Sequence, residues 1–228
     1  MTCRALERRL PRFLRRRVLY FEAAIEQAVA ALAAELPAGA RVLDAGAGEG
    51  QYARFFSGRR YLGLDLGIGD PRWNYRGLDV LGDLVALPFG SGCFDACLNV
   101  VTLEHVREPA SALREIARVL KPGGSLLVVV PHEWEVHQAP HDYFRFTRYG
   151  LSYLLETAGF TAIRIEPVGG YFRLLARRLL NGLEFFPGLA FPLAALLLAP
   201  PALVLPWLDG LDRARNFTLG YVCTAQKP

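Results

Sequence analysis

The sequence predicts an α/β fold of the doubly wound kind, a parallel sheet with helices on both faces, and three observations carry that prediction. Short β-like runs alternate with helical runs at the spacing of βαβ units. The first such run breaks directly into a glycine-rich loop, Ala45-Gly46-Ala47-Gly48-Glu49-Gly50. A later run, Ser125 to Val130, is apolar without interruption, as a strand covered on both faces requires. With 228 residues and 52% hydrophobic composition, the chain can build one sizeable core, with room for an insertion.

Taken in order, Val18 to Leu36 is alanine-rich and helical in pattern, and stops at Pro37-Ala38-Gly39. Arg41-Val42-Leu43-Asp44 is the first strand. After the glycines, Gln51 to Phe56 can open a helix, and Tyr61 to Leu66 is the second strand. Asn74 to Val80 is a weaker strand, followed by a loop at Leu87–Gly92. Phe94 to Val101 is strand again. Pro109 to Leu120 is an amphipathic helix with Leu113, Ile116, Ala117 and Leu120 on one face, ended by Lys121-Pro122-Gly123-Gly124. Thr147 can cap a helix from Arg148 to Ala158, closed by Gly159. Thr161–Pro167 and Phe217–Ala225 are the last strands.

The net charge of +4 is unevenly spread. Residues 1–17 hold seven arginines and one glutamate, so the rest of the chain is mildly acidic. A nucleic-acid-binding domain would spread basic residues over a face, so no nucleic-acid partner is expected. The arm lacks the apolar core and cleavage site of a secretory signal. It reads as a solvated helix or as an attraction to anionic headgroups. Cys3, Cys93, Cys97 and Cys223 form no CxxC pair and no histidine sits at ligand spacing beside them. Reduced thiols, a cytoplasmic chain and no metal are the expectation.

In a doubly wound sheet, ligands bind beyond the carboxyl ends of the strands near the switch point. Small residues after the first strand let the backbone approach a ligand and aim amides at it from a helix N-terminus. Asp65, ending the second strand, can accept two hydrogen bonds from ribose hydroxyls. These residues specify an adenosine-type cofactor, and both a dinucleotide and S-adenosyl-L-methionine fit.

Val42-Leu43-Asp44-Ala45-Gly46-Ala47-Gly48-Glu49-Gly50 resembles motif I of the class I S-adenosylmethionine-dependent methyltransferases, whereas a dinucleotide fingerprint would want glycine where Gln51 stands. Gly82–Phe89 with Phe94-Asp95-Ala96, Leu103-Glu104-His105-Val106, and Lys121-Pro122-Gly123-Gly124 resemble later motifs of the type 11 branch, which includes the ubiquinone and menaquinone methyltransferases. The resemblance spans residues 40–168. It implies a Rossmann-like, doubly wound seven-strand sheet, six strands parallel and the last antiparallel; a hydrophobic helical insert before the last strand departs from that pattern. The chain is then expected to divide into a basic arm and helix at 1–39, a cofactor-binding core at 40–168, a hydrophobic insert at 169–216 and a final core strand at 217–228. Gly46, Ala47 and Gly48 would line the methionine end of S-adenosyl-L-methionine. Asp44 would support the loop or the cofactor's amino group, Asp65 would hold the ribose, and Asp83 with the Leu84 amide would read the adenine. Asp79 is the alternative to Asp83, and Leu66 and Asn99 complete the expected cofactor set. The activity implied is methyl transfer to a small-molecule or lipid-linked acceptor, the rival being a non-catalytic module that binds cofactor or partner on the same fold.

Methyl transfer needs alignment and exclusion of water, with a base only for a poorly nucleophilic acceptor. Candidates for that base follow the fourth and fifth strands: His105, and the segment Pro131 to Arg145, which packs three histidines among acids, bases and aromatics. His137 or His141 would accept the proton, with Asp142 orienting it or pairing with Arg145. His137 and His141 flank Pro140 on an irregular loop, so their spacing resembles no metal site.

Finally, Phe185 to Leu208 carries no charged side chain. Five prolines interrupt it, and Pro200-Pro201 is expected to break any helix there. The piece before that break is too short to cross a bilayer, and a single crossing would put the last strand on the wrong side. The insert is then a buried helical subdomain or a hairpin resting in one leaflet. Tyr171–Leu180, with Arg173 and Arg177 on one side, favours the hairpin, and with it peripheral membrane contact through 171–208 at the inner face of the membrane.

Overall fold

The computed structural model describes residues 19–228; the basic arm, with Cys3 and the headgroup attraction expected of it, lies outside the described residues. The elements run α1 (Tyr20–Glu35), β1 (Arg41–Ala45), β2 (Arg60–Asp65), β3 (Val80–Leu81), β4 (Phe94–Val100), α2 (Pro109–Val119), β5 (Leu120–Pro131), α3 (Arg148–Thr157), β6 (Thr161–Val168), α4 (Tyr171–Asn181), α5 (Ala190–Val204) and β7 (Gly220–Gln226). One seven-stranded sheet takes the order β3-β2-β1-β4-β5-β7-β6. The chain winds outward from β1 to β3, then returns to lay β4 on the other side of β1, which makes the β1/β4 boundary the switch point. β1 pairs with β2 and β4, β2 with β3, and β4 with β5, all in parallel. β7 runs against its neighbours, the only antiparallel strand of the seven: Lys227 N–H donates to Gly124 O at one end and Leu219 N–H to Val168 O at the other.

The α/β expectation holds because periodicity and burial agree. β1 is buried beyond Arg41 and β4 is buried apart from Asp95, with Asp44 and Asn99 the polar residues inside, and residues 126–130 of β5 are apolar and buried. α2 starts with proline at its first turn, where the missing N–H costs nothing, and buries Ala112, Leu113, Ile116 and Val119. Fully burying each of the Leu, Ile and Val chains is worth about 1.5–3 kcal/mol. Arg118 of α2 then ties the 87–90 loop down, donating to Phe89 O at 2.7 Å and Leu87 O at 3.0 Å while paired with Glu115. The Thr147 hydroxyl caps α3 through Gly150 N–H.

Three expectations fail locally. No α-helix follows the glycine loop: Gly46, Gly48 and Gly50 all take positive φ, and the chain manages only a 3-10 turn at Ala53–Phe55. The 74–80 strand shrinks to the two residues of β3, because the Asn74 side chain accepts from Arg76 N–H and folds Tyr75–Gly77 into a 3-10 turn. And α5 continues through Pro200-Pro201. The two rings remove bonds to the preceding turn only, and the ladder resumes with Leu205 N–H on Pro201 O.

By contact the chain separates into two compact units, residues 25–166 with 221–228, and residues 19–24 with 167–220. In the second, Asp209 is buried and accepts from Gly170 N–H, Arg173 N–H and Arg173 Nε–H, each at 3.1 Å, while Asp212 accepts from Tyr171 N–H at 2.8 Å. Two carboxylates thus cap the first turn of α4, where free amides and the helix dipole favour negative charge. Arg177 pairs with Glu22 at 3.0 Å, and the Arg173 guanidinium lies over the Tyr20 ring. The interfacial role expected for Arg173 and Arg177 is corrected by these contacts, since both face carboxylates of their own unit.

Candidate functional site

At the switch point β1 delivers Asp44 and Ala45 into the glycine loop. Asn99 of β4, fully buried, donates from Nδ2 to Ala45 O at 2.6 Å and fastens the two central strands together; its Oδ1 has no partner. Asp44 is also fully buried. Its Oδ2 accepts from the Tyr61 hydroxyl at 2.5 Å and its Oδ1 is unpartnered. Burial pushes the Asp44 carboxyl up to about 7; the Tyr61 hydroxyl opposes that shift and the charge of Asp65 adds to it.

The loop's amides are turned toward β2. Gly46 and Ala47 N–H groups both donate to Leu64 O, and Gly48 N–H donates to Asp65 Oδ2 at 2.9 Å. The expectation of amides aimed at a ligand from a helix N-terminus is therefore corrected: the loop offers closeness, through absent side chains. A Cβ on Gly46 would stand 2.2 Å from Thr102 Cγ2, so the turn after β4 leaves room for no more than glycine there.

Asp65 holds Gly67 N–H as well, at 2.8 Å, and its two oxygens keep their remaining lone pairs at the end of β2 beside the exposed Leu66. Asp83 is exposed and uses Oδ1 to cap Val85 N–H, with the Leu84 side chain buried beneath it. Asp79 exchanges two hydrogen bonds with Gly63 and serves as an edge partner of β2, leaving Asp83 the freer of the pair. Two contacts carry no sequence signal: Trp73 packs against Gly48, and Glu49 accepts from Asn74 N–H.

Beyond β4 the chain turns sharply. Val101 takes φ +51°, a conformation a β-branched residue rarely adopts, and is held by its N–H on Val129 O. That turn puts the Thr102 hydroxyl on Gly46 O at 3.1 Å and carries Glu104 and His105 inward. Glu104 is fully buried, and neither carboxylate oxygen has a hydrogen-bond partner. Around it stand His105 Nε2 at 3.8 Å and His137 Nε2 at 3.7 Å from Oε1, ion-pair distances too long for hydrogen bonds. The two imidazoles meet edge to face with centroids 4.7 Å apart.

The 131–145 segment is strapped over this cluster. Tyr143 and Phe144 N–H groups both donate to Glu104 O. Arg145 grips Asp142 through both terminal nitrogens at 2.6 and 2.8 Å and also donates to Trp134 O and Glu135 O. The guanidinium holds the Asp142 carboxyl at about 2. Asp142 accepts from His137 N–H too, which fixes the loop. His141 Nδ1 lies 3.1 Å from the Tyr143 hydroxyl, which accepts from Arg107 Nε–H. Burial pulls the His137 imidazole down, yet the carboxylates of Glu104 and Asp142 outweigh it and leave it raised. The structure thus brings His105 and His137 together, with His141 one step outside. Glu104 completes the group although its sequence context marks it only as part of a motif.

Residues 43–128 match the methyltransferase-domain family of type 11. A relative from Mycolicibacterium smegmatis, named "Probable S-adenosylmethionine-dependent methyltransferase", is 35% identical over 147 residues, covering 59% of this chain and 56% of its own. A demethylmenaquinone methyltransferase of Renibacterium salmoninarum is 40% identical over 96 residues, 40% of each chain. The chain therefore spans about half, or less, of the length of the curated relatives it matches. Among solved structures, 1,6-didemethyltoxoflavin-N1-methyltransferase of Burkholderia thailandensis, with bound 1,6-didemethyltoxoflavin and S-adenosylhomocysteine, is similar with a TM-score of 0.58. It is 25% identical, over 92% of this chain and 80% of that one.

Proposed function

The chain belongs to the class I S-adenosylmethionine-dependent methyltransferases, type 11 branch, and on that premise we propose that it transfers a methyl group from S-adenosyl-L-methionine to a small or lipid-linked acceptor. The observation that carries the reading is the bridge from Thr102 to Gly46, which joins a glycine cradle to a buried cluster of bases two residues farther along. The fit to the cofactor rests on Gly46, where a Cβ would find no space, and on Asp65, whose carboxylate keeps free lone pairs at the strand end. When bound, S-adenosyl-L-methionine supplies an electrophilic methyl group on a positively charged sulfur.

The chain's part is alignment. Gly46, Ala47 and Gly48 offer close approach, Asp65 and Leu66 the ribose side, and Asp83 with Leu84 the adenine side. Asp44 and Asn99 are too deeply buried for direct contact and hold the loop on the sheet instead. A proton leaving the acceptor has two free lone pairs to go to, on His137 Nε2 and His105 Nε2, with Glu104 stabilising the resulting positive charge. Asp142 and Arg145 position the loop that carries His137, and His141 anchors His105 through its carbonyl.

Loss of the Asp65 carboxylate in Asp65→Ala should weaken S-adenosylhomocysteine binding by about 1.5–3 kcal/mol, roughly 10- to 150-fold, measured by calorimetry. Unchanged affinity would sink the ribose assignment. Formation of S-adenosylhomocysteine on addition of cell extract separates an enzyme from a binding module.

A lipid-soluble or lipid-linked acceptor is favoured by the insert. Leu189 is fully exposed, Leu193, Leu196, Leu197 and Leu211 more than 60% so, and Trp207 66%. Ala190–Leu211 is long and apolar enough to cross a membrane by length and composition. Val168 O and Leu219 N–H are hydrogen-bonded, however, so the excursion returns to where it left, which supports contact with one leaflet. The demethylmenaquinone relative points the same way. With the 185–208 segment replaced by a short polar linker, the chain should stop floating with anionic liposomes while the full-length chain still floats. Equal behaviour of the two would remove the membrane reading and turn the acceptor search to water-soluble molecules.

A further inference from the structure

Glu104 and its two histidines pose a charge problem that their hydrogen bonds leave unsolved. His105 Nδ1 lies 2.6 Å from His141 O and His137 Nδ1 lies 3.1 Å from Glu135 O. A carbonyl oxygen only accepts, so each Nδ1 carries a hydrogen, although His137 Nδ1 also lies 3.4 Å from the donor Arg145 Nη2, and in the neutral rings each Nε2 presents a lone pair. Both Nε2 atoms are buried without a partner, as are both oxygens of a fully buried carboxylate. With both rings neutral, four acceptor atoms with no donor among them converge on one space, an arrangement that costs several kcal/mol unless a proton on an imidazole or a bound cation sits in it.

We propose that Glu104, His105 and His137 form a binding site for a divalent transition-metal ion of the Zn2+ type. The three donor atoms lie within 4.8 Å of one another. Zinc binds imidazole nitrogen at about 2.0–2.1 Å and carboxylate oxygen at about 2.0–2.2 Å, which sets tetrahedral neighbours about 3.4 Å apart. The His105–Glu104 and His137–Glu104 separations, 3.8 and 3.7 Å, are within half an ångström of that value. The Nδ1–H bonds to backbone carbonyls are the outer contacts that fix tautomer and ring direction in metal-binding histidines. Two imidazoles with one carboxylate suit zinc, iron, nickel or copper and disfavour magnesium and calcium, which take oxygen. Three protein ligands also leave a coordination position open, as in catalytic zinc sites. An ion bound there occupies the two lone pairs that would otherwise take the acceptor's proton; use of its open position to orient an acceptor bearing oxygen or nitrogen rests on the methyl-transfer reading, and binding of the ion does not.

The test is titration of the full chain, stripped with chelator, first with Co2+ alone, followed by its visible absorption, and then with Zn2+ to displace it. One ion per chain is expected. Outer-shell contacts alone are worth about 10- to 100-fold in affinity, so His137→Gln and Glu104→Gln should each weaken binding by about 100-fold or more. His137 is partly exposed, so His137→Gln is the variant expected to keep its fold, checked by circular dichroism and by S-adenosylhomocysteine binding. A chain that binds S-adenosylhomocysteine but neither ion overturns the inference and leaves the methyl-transfer reading intact. Binding that both variants preserve also overturns it. Metal binding lost in the variants, in a chain with no affinity for S-adenosylhomocysteine, upholds the site while removing the transferase reading.

Discussion

Gly46→Ala is expected to destabilise the chain by about 2–6 kcal/mol and to abolish measurable cofactor binding. Two costs combine. Gly46 sits at φ +97°, which an L-residue with a Cβ enters at about 1–3 kcal/mol. The new methyl would also stand 2.2 Å from Thr102 Cγ2 and 2.5 Å from its Oγ1, an overpacking worth about 1–3 kcal/mol. The two parts can be separated. In a Gly46→Ala/Thr102→Ala double variant the collision is relieved while the backbone strain stays, so urea unfolding should recover about half of the loss. A Gly46→Ala chain as stable as the parent would mean that Thr102 does not press on the loop.

The second large effect is a pH dependence. Burial raises the Asp44 carboxyl from 3.8 to about 7 in the folded chain, so between these values the folded state holds a proton that the unfolded state has lost. Stability from this group is therefore complete below about pH 4 and falls as pH rises through 7. Between pH 5 and pH 8 the cofactor-free chain should lose about 2–3 kcal/mol on this account. Asp44→Asn carries no titrating group there and should show a profile flatter by that amount in urea unfolding at the two pH values. Parallel profiles for parent and variant would show that Asp44 is ionised in the fold.

The parts of the molecule that the sequence made legible are those whose cause is local. Leu113, Ile116 and their neighbours set the buried face of α2, and Thr147 marks the start of α3 through its own hydroxyl. The acid–glycine loop–acid pattern placed Asp44, Gly46 and Asp65 at one strand edge, where the structure has them. What escaped depends on distant partners. Glu104 is an ordinary motif residue until the loop after β5 lays His137 against it. The interfacial look of Arg173 and Arg177 dissolves once Asp209 and Glu22 arrive from elsewhere in the chain. Pro200-Pro201 misled for another reason: the cost of two rings near the end of a helix falls on one turn only, and α5 tolerates it.

The hydrogen bond between Val168 and Leu219 has a bearing on chain entropy. Residues 169–218 form a loop whose two ends are held side by side. Closing a loop costs free energy that grows only with the logarithm of its length, about 0.6 kcal/mol per doubling. Shortening this one to a turn of about six residues, three halvings, would return about 2 kcal/mol to the folded state. The long excursion thus carries a closure cost in the fold, offset by what the insert gains from its own packing.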